Sequence, residues 1–404
     1  MPVYQAKVPY DPDARRPWRT MPFPESEYER RIAAVQARLR AERLAALVAF
    51  SNGADPGHAR YLVNFEPSAG DTMVVIPAAG PPMLTTNWLM HGEPMHTSIW
   101  TTWLADVRPA ERAGFSRTPE TSVAGHAADR IQESGAAADR IGVAGSDIFP
   151  HPIMVALQER LPRATWIPAD DLLMDVRGVK SPLEIEVMRR AARISGLMHE
   201  EALRALAPGA REFDVAARAH GVAFAEGADA LAFDSAVATG PRAGLKHCAP
   251  SDRVMEPGDM VFLDMAAVYH GYNADVSRTT VVGTPNAEQR RFLDTGLAMF
   301  EAVLAKAAPG VPVQDLIATA RAIAARAGYE ADYMPKGFGH GLGCSLFERP
   351  SLRPATTAVL EQGNVFALEP MLIRMNFGTA CIEETVLITP TGAEALSGCP
   401  LRVW

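Results

Sequence analysis

The chain has 404 residues, 48% hydrophobic and 21% charged, a composition that excludes a fibrous or disordered protein and favours two globular domains. Its net charge of −8, without a basic run interleaved with aromatics, argues against a nucleic-acid partner. Four cysteines without a C-x-x-C pair favour a reducing, cytoplasmic location. No apolar run approaches the roughly 20 residues of a membrane span, and the N-terminus lacks the apolar stretch of a secretory signal.

The first part of the chain predicts an irregular arm followed by an α/β domain. Residues 1–25 are rich in proline and show little periodicity. The pattern Ser26-x-x-Glu29 predicts a capping box that opens a helix. Strand-like runs follow, and the alternation of strands and helices predicts an α/β domain over residues 26–176. The runs with strand composition are 47–50, 72–76 and 83–86, and residues 141–167 have the pattern strand, helix, strand.

A second domain is expected over residues 177–404, and its pattern is typical of an α+β fold. Ser181 with Pro182 and Glu184 predicts the capped start of a helix that runs to about Leu206. A second helix is predicted over 212–226, followed by strand signals. A further helix pair, 287–307 and 313–327, again precedes strands. The repeated order of helices and then strands suggests an internal duplication.

Two aspartates flank a predicted hairpin in this domain. Apolar runs that end in Asp264 and begin around Asp275 enclose the turn-like composition of residues 270–273. A pairing that sets the two aspartates opposite each other centres the turn between Tyr269 and His270. Buried like charges destabilise each other, and a cation between them removes that penalty. The hairpin therefore predicts a metal site, with two unrelated surface aspartates as the alternative.

Two glutamates repeat this arrangement near the C-terminus. Glu369 and Glu383 face each other across a second apolar hairpin if its turn is centred on Asn376, with Gly378 nearby. Between the hairpins lies His340, in a glycine-rich loop over residues 337–343, where the backbone can approach a ligand closely. Four carboxylates and one imidazole suit two divalent ions such as Mn, Co, Fe or Zn. Two such ions, roughly 3.5–4 Å apart, would activate a water and stabilise a tetrahedral oxyanion.

These segments together resemble the creatinase / aminopeptidase P / prolidase / methionine aminopeptidase superfamily, whose catalytic domain has the pita-bread fold. The similarity extends from about Glu27 to the C-terminus and includes the run 177–189, the run 233–240 and the run 247–250. All five metal-ligand positions match in type and order. The resemblance implies a creatinase-like α/β N-terminal domain, a pita-bread catalytic domain and a hydrolase of C–N bonds.

The resemblance also implies roles for individual residues. Asp264 and Asp275 would hold one ion, and His340 and Glu369 the other. Asp275 and Glu383 would bridge both. Glu369 would also carry the proton of the attacking water. His247 matches the family histidine that contacts substrate and stabilises the intermediate, with a satisfied core histidine as the alternative.

Two departures from the family pattern leave the substrate open. Phe347 stands where the peptidases carry a second substrate histidine, and Cys381 stands where aminopeptidase P and prolidase carry arginine. One hypothesis is a metal-dependent Xaa-Pro peptidase. The alternatives are a hydrolase of a small non-peptide amide or amidine, as in the creatinase branch, and a binding protein that has lost catalysis. The intact ligand set argues against lost catalysis, and also against creatinase itself, which works without metals.

An aromatic and histidine cluster in the first domain raises the question of a second subunit. In creatinase-like relatives the N-terminal domain of a second subunit helps to close the active site. By that resemblance the chain is expected to form a homodimer, and the cluster could line a neighbour's pocket, although ordinary core or surface placement is the simpler interpretation of each residue. The cluster comprises Trp88, His91, His96, Trp100 and Trp103.

Overall fold

The computed structural model describes residues 21–67, 70–87, 102–110 and 123–404. The chain divides into two compact units, Met1–Arg177 and Gly178–Trp404. In the described ranges, no helix is long and apolar enough to cross a membrane.

The described residues of the first unit form a mixed sheet with helices. The strand order is β4-β3-β2-β1-β5-β6, in which β2 runs antiparallel to β1 and β3 and the other neighbours are parallel. The strands are β1 (Ala46–Ser51), β2 (Thr72–Pro77), β3 (Met83–Thr86), β4 (Val107–Pro109), β5 (Arg140–Ala144) and β6 (Thr165–Pro168). The helices are α1 (Glu25–Ala41), α2 (Gly57–Val63), α3 (Val123–Glu133), α4 (His151–Arg160) and α5 (Asp170–Gly178).

The start of α1 differs from the predicted capping box. The helix begins at Glu25 after Pro24, which makes no side-chain cap, so Ser26 lies inside the first turn and the predicted Ser26 cap is wrong. Pro24 has an extended conformation, with φ −63° and ψ 154°, so the helix starts directly after it. The acidic residues Glu25 and Glu27 in the first turn complement the positive end of the helix dipole instead.

Of the aromatic and histidine cluster, Trp88, His91, His96 and Trp100 lie outside the described residues. Trp103 is described, and it packs within the first unit. Its ring stacks on Tyr28 with 6.5 Å between centroids, and its Nε1 donates a hydrogen bond to the carbonyl of Leu62 at 3.3 Å. These contacts assign Trp103 to ordinary packing.

The second unit, which is described without a gap, contains two helix pairs and short strands. The first pair is α6 (Pro182–Ala205) and α7 (Glu212–Ala225), and the second is α8 (Ala287–Lys306) and α9 (Val313–Arg326). The start of α6 confirms the predicted capping box, because the Ser181 side chain accepts from the Glu184 backbone N–H while the Glu184 carboxylate accepts from the Ser181 N–H. Each predicted helix boundary in this unit lies within two residues of the observed one.

The strands of this unit form one five-stranded sheet, two three-stranded sheets and one two-stranded sheet. The orders are β12-β9-β8, β14-β13-β15-β18-β19, β11-β10-β7 and β16-β17, and every pairing is antiparallel. From the start of the unit to its middle the strands are β7 (Ala230–Leu231), β8 (Ala236–Thr239), β9 (Met260–Asp264), β10 (Ala267–Tyr269), β11 (Tyr272–Asn273) and β12 (Ser277–Val281). The remaining strands are β13 (Gly339–Gly341), β14 (Glu348–Ser351), β15 (Val365–Leu368), β16 (Met371–Arg374), β17 (Gly378–Cys381), β18 (Glu384–Thr389) and β19 (Gly392–Ala395).

Strand β9 shows how the helix pairs enclose these strands. Val261 and Leu263 pack in the cluster that contains α6 and α7, whereas Met260 and Phe262 pack in the cluster that contains α8 and α9. Side chains alternate between the faces of a strand, so β9 is covered by helices on both sides and is buried throughout. This double cover explains why Asp264, at the end of β9, lies in a dry environment.

Close packing between α6 and the C-terminal segment generates a stability prediction. A Cβ at Gly196 would lie 2.3 Å from the carbonyl oxygen of Ser397, whereas a Cβ at Gly221 on α7 would meet nothing within 4 Å. We expect Gly196→Ala to lower the free energy of unfolding by about 1–3 kcal/mol through overpacking. The control Gly221→Ala should raise it by about 0.5–1 kcal/mol, because alanine favours the helix. Denaturant titration of both variants measures the difference, and equal effects would contradict the packing.

Candidate metal centre

The first carboxylate hairpin forms with a register different from the predicted one. Asp264 pairs with Ser277, so the prediction that Asp264 sits directly opposite Asp275 is wrong by two positions. The turn explains the shift: His270 and Gly271 both adopt left-handed backbone, with φ of 49° and 78°, as the two central residues of a tight hairpin turn require. The chain also changes sheet between the β9/β12 and β10/β11 pairs, and this irregular passage brings Asp275 beside Asp264.

The second carboxylate hairpin has the predicted register. Strand β15 pairs with β18, and β16 pairs with β17, in a common register centred on Asn376, whose φ is 60°. Glu369 and Glu383 occupy the gap between these two strand pairs, at the point where the hairpin passes from one sheet to another. The register therefore sets the two carboxylates opposite each other, as the sequence predicted.

His340 lies on the short strand β13 between β14 and β15, which corrects the expectation of a loop. The glycine before it is required, because Gly339 has a φ of 141° and a Cβ there would lie 2.1 Å from the Ala367 carbonyl oxygen. The strand holds the imidazole so that its Nε2 lies 3.5 Å from Asp275 Oδ2. The histidine thus joins the aspartates of the first hairpin.

Three carboxylates form the centre of the site. Oxygens of Asp264, Asp275 and Glu383 all lie within 4.8 Å of one another, and the side chains are 5%, 5% and 2% exposed. Burial, followed by the negative charges of the neighbouring carboxylates, raises the pKa of Asp264 and that of Glu383 well above their ordinary values. Among the described residues, Asp264 Oδ1 and Asp275 Oδ1 have no hydrogen-bond partner. Buried, unpartnered oxygens of like charge fit divalent cations.

All six residues predicted for the site line a cavity of about 490 Å³. Besides the five candidate metal ligands and His247, the wall includes cations and apolar side chains. The other lining residues are Phe233, Asp234, Lys246, Lys336, Gly337, Gly339, Leu346, Phe347 and Arg353. The volume suits a small substrate.

Lys246 is a site residue that sequence reasoning missed. Its Nζ lies 2.6 Å from Glu369 Oε2, so Glu369 is engaged by a cation from the protein. Burial disfavours the charged ammonium, but the attraction of Glu369 and Glu383 outweighs it and raises the pKa of Lys246. The available signal was its place directly before His247. Lys336 and Arg353 were missed as well, and they lie outside every motif that the sequence offered.

The loop that carries His247 is held in a strained conformation by a polar network around the buried Glu212. His247 has a φ of 62°, a region that side-chain-bearing residues seldom adopt. Glu212 is fully buried and accepts hydrogen bonds from Arg242 at 2.6 Å and from the Ser251 hydroxyl at 2.6 Å. Arg242 in turn donates to the Ala249 carbonyl at 2.6 Å. This network fixes the loop, so that His247 reaches the cavity.

The two positions that depart from the family pattern have different environments. Phe347 is 60% exposed, lines the cavity and lies with its ring 4.4 Å from that of His340. Cys381 is 1% exposed, is not part of the cavity wall, and its Sγ accepts from the Ser277 hydroxyl at 3.4 Å. Only Phe347 of the two is therefore placed to face a substrate.

Comparison with known proteins identifies the family. Residues 186–390 match Metallopeptidase family M24, and residues 31–179 match the Creatinase/Prolidase N-terminal domain. The chain belongs to Metallopeptidase family M24. The predicted superfamily and fold are confirmed, and with them the class of metal-dependent hydrolases of C–N bonds. A metallopeptidase requires divalent metal ions, in agreement with the carboxylate cluster.

Individual relatives give more detail. The chain is 36% identical over 228 residues to an Xaa-Pro dipeptidase of Pyrococcus furiosus, an alignment that covers 56% of this chain and 65% of that protein. It is 32% identical to an Xaa-Pro dipeptidase of Pyrococcus horikoshii, covering 62% of this chain and 71% of that one. The solved prolidase structure from Pyrococcus furiosus superimposes with a TM-score of 0.75 at 26% identity, covering 90% of this chain and 99% of that chain.

The electrostatics of the carboxylate cluster predict opposite effects of one substitution with and without metal. The pKa of Asp264 is raised in the folded, metal-free protein, so its contribution to stability is present in acid and is lost as pH rises above about 4. Asp264→Asn removes the ionisable carboxyl group, so the variant does not lose this stability as pH rises. We expect the metal-stripped variant to be more stable than the stripped parent at pH 7, by about 1 kcal/mol or more, and equally stable near pH 4.

Added Mn²⁺ should reverse the order, since it stabilises the parent by binding and the variant has lost a ligand. Thermal unfolding at both pH values, with and without the ion, provides the measurement. Asp234→Asn, at an exposed carboxylate of the same cavity, is the control and should follow the parent. A stripped Asp264→Asn protein that is less stable than the parent at pH 7 would refute the like-charge description.

Proposed function

We propose that this chain is a dinuclear metal-dependent hydrolase of Xaa-Pro peptides. The observation that carries the proposal is the convergence of four carboxylates and His340 in one cavity, with two buried aspartate oxygens that lack a protein partner. We assign Asp264 and Asp275 to one ion and His340 and Glu369 to the other. In this assignment Asp275 and Glu383 would each help to hold both ions. The donor set suits Mn, Co, Fe or Zn.

Different residues of the cavity then serve different steps of the proposed hydrolysis. Bound ions would activate a water and polarise the scissile carbonyl. Glu369 accepts the proton of that water and passes it to the leaving amine, and Lys246 holds its carboxylate in place. Burial and the charge of Lys246 lower the pKa of His247, so its imidazole is neutral near pH 7. A neutral imidazole on the fixed loop can donate a hydrogen bond to the substrate oxygen that gains negative charge.

The substrate class is supported by the relatives and by the cavity. Both Pyrococcus relatives are named for the cleavage of Xaa-Pro dipeptides, and a cavity of about 490 Å³ accommodates a molecule of that size. A second candidate, a small non-peptide amide or amidine, is favoured by one observation. The exposed Phe347 ring offers an apolar wall beside His340 in place of a hydrogen-bond donor.

We further propose that the chain acts as a cytoplasmic homodimer. The family resemblance supports the dimer. None of the four cysteines forms a disulfide, as a reducing compartment favours.

Metal content and turnover test the proposed function directly. We expect the stripped and reconstituted protein to bind close to two divalent ions per chain by elemental analysis and to cleave Ala-Pro. Glu383→Gln, which removes a proposed bridging carboxylate, should bind fewer ions and lower kcat/KM by at least about 100-fold. Glu301→Gln, at an exposed position of α8, is the matched control. Parent-like turnover in Glu383→Gln, or no bound ion in the parent, would rule out the assignment.

Phe347 distinguishes the peptide and non-peptide substrates. We expect Phe347→His to raise kcat/KM on Xaa-Pro dipeptides by about two- to tenfold, because it adds a hydrogen-bond donor beside His340. Phe347→Leu keeps an apolar wall without a donor and should produce no increase. An unchanged rate in Phe347→His, or an equal increase in Phe347→Leu, would show that a donor at this position does not serve a peptide. Faster cleavage of small amides than of Xaa-Pro dipeptides by the parent would favour the second candidate.

A further inference from the structure

A buried ion pair lies behind the cavity wall and takes no part in the proposed hydrolysis. Lys180 Nζ lies 3.1 Å from Glu348 Oε2, and both side chains are 1% exposed. Neither residue lines the cavity. Taking two charges out of water costs free energy that their attraction barely repays, so such a pair contributes little net stability. What the pair does contribute is a fixed geometry for the groups around it.

The loop over residues 342–347 is built around the Glu348 carboxylate. Glu348 Oε1 accepts a hydrogen bond from the Ser345 N–H at 3.0 Å. Gly343 lies directly against the same carboxylate, because a Cβ there would be 2.3 Å from Glu348 Oε1. One oxygen of Glu348 therefore binds the loop, and the other binds the ammonium of Lys180.

The backbone of Lys180 is held against the sheet that contains the metal-ligand candidate His340. The Lys180 N–H donates to the Gly363 carbonyl at 2.9 Å, and Asn364 Nδ2 donates to the Gly178 carbonyl at 3.0 Å. Asn364 directly precedes β15, which pairs with β13 and so with His340. The ion pair thus connects the loop to the start of the neighbouring strand.

The other side of the loop is tied to the first carboxylate hairpin. The Gly343 carbonyl accepts hydrogen bonds from the Asn273 N–H at 2.8 Å and from Asn273 Nδ2 at 2.9 Å. Asn273 is 5% exposed and lies two residues before Asp275. The loop is therefore supported from both sides, and its supports lie next to proposed metal ligands.

Phe347 is the residue through which this support reaches the cavity. It directly precedes Glu348, lines the cavity and lies with its ring 4.4 Å from that of His340. Because 60% of Phe347 is exposed, the backbone beneath it largely sets where the ring stands.

We propose that Lys180 and Glu348 are positioning residues that fix the Phe347 ring beside His340 as the apolar wall for the substrate. This inference rests on the proposed function and names what sets the shape of the cavity on the Phe347 side. Without the ion pair the loop and the ring can shift, so substrate binding weakens while the proposed metal ligands stay in place. The expected signature is a higher KM with little change in kcat.

The test is a double-mutant cycle on the full, metal-reconstituted chain with Ala-Pro as substrate. The paired change Lys180→Met with Glu348→Gln removes both charges together, so no lone charge stays buried. It should raise KM by about three- to tenfold with less than about a twofold change in kcat and with the metal content of the parent. Phe347→Ala should also raise KM, and adding the paired change to it should raise KM by less than about a further twofold, because both act through the same ring.

Two further variants separate positioning from a general loss of packing. Gly343→Ala keeps both charges and displaces the carboxylate, so it should reproduce the higher KM and its dependence on Phe347. This variant decides the question if the paired change does not fold. Arg189→Met with Glu394→Gln removes an ion pair between α6 and β19, outside the cavity wall, and should leave KM unchanged. An unchanged KM in the paired variant, or effects that add in full to those of Phe347→Ala, would overturn the inference.

Hydrogen exchange separates this inference from the proposed function. The Ser345 amide should exchange at least about tenfold faster in the paired variant than in the parent, whereas the amides of β15 and β18 should exchange as in the parent. If Ala-Pro is not cleaved but the Ser345 amide responds in this way, the positioning role stands without the proposed function. An unchanged Ser345 exchange rate overturns the inference whether or not Ala-Pro is cleaved.

Discussion

The catalytic unit is organised around an unfavourable contact, the burial of like-charged carboxylates against one another. Asp264, Asp275 and Glu383 are 2–5% exposed and have oxygens within 4.8 Å. In a dry interior each charge raises the cost of ionising the next, and the raised pKa values of Asp264 and Glu383 express that cost. The helices that cover β9 on both faces contribute to the burial of the cluster. Bound cations remove this repulsion. The same carboxylates therefore lower the stability of the metal-free protein and raise the affinity of the site for cations.

Such a cluster needs its backbone held, because the repulsion would otherwise separate the strands. The fully buried Arg278 serves this purpose: it donates to the carbonyls of Glu383 and Ser277 at 2.8 Å each and pairs with the carboxylate of Glu384. Arg278 also donates to the Cys399 carbonyl at 2.9 Å, which ties the C-terminal segment to the same point. One guanidinium thus fixes the chain on both sides of the paired hairpins.

The pairing of the second carboxylate hairpin could be predicted from the sequence, because it depends on the apolar strand pattern and the turn residue close by in the chain. Apolar runs around Asn376 have a register that its left-handed turn specifies, and the predicted pairing of Glu369 with Glu383 holds in the structure. The earlier hairpin was placed wrongly, although its sequence carried a signal. Its turn uses His270 and Gly271 as the central residues, and glycine at the second central position favours this centre over the predicted one between Tyr269 and His270. The contact between Lys246 and Glu369 joins residues 123 positions apart, so no periodicity or motif could reveal it.

This contrast separates two kinds of residue in the site. The groups proposed to hold metal lie on or beside paired strands, whose register limits where each carboxylate can point. Phe347, which is proposed to affect the choice of substrate, lies on a connecting segment, as do the cavity cations Lys336 and Arg353. A substitution on such a segment changes the cavity wall without disturbing a strand ladder. A change from histidine to phenylalanine at position 347 is therefore compatible with an intact metal centre.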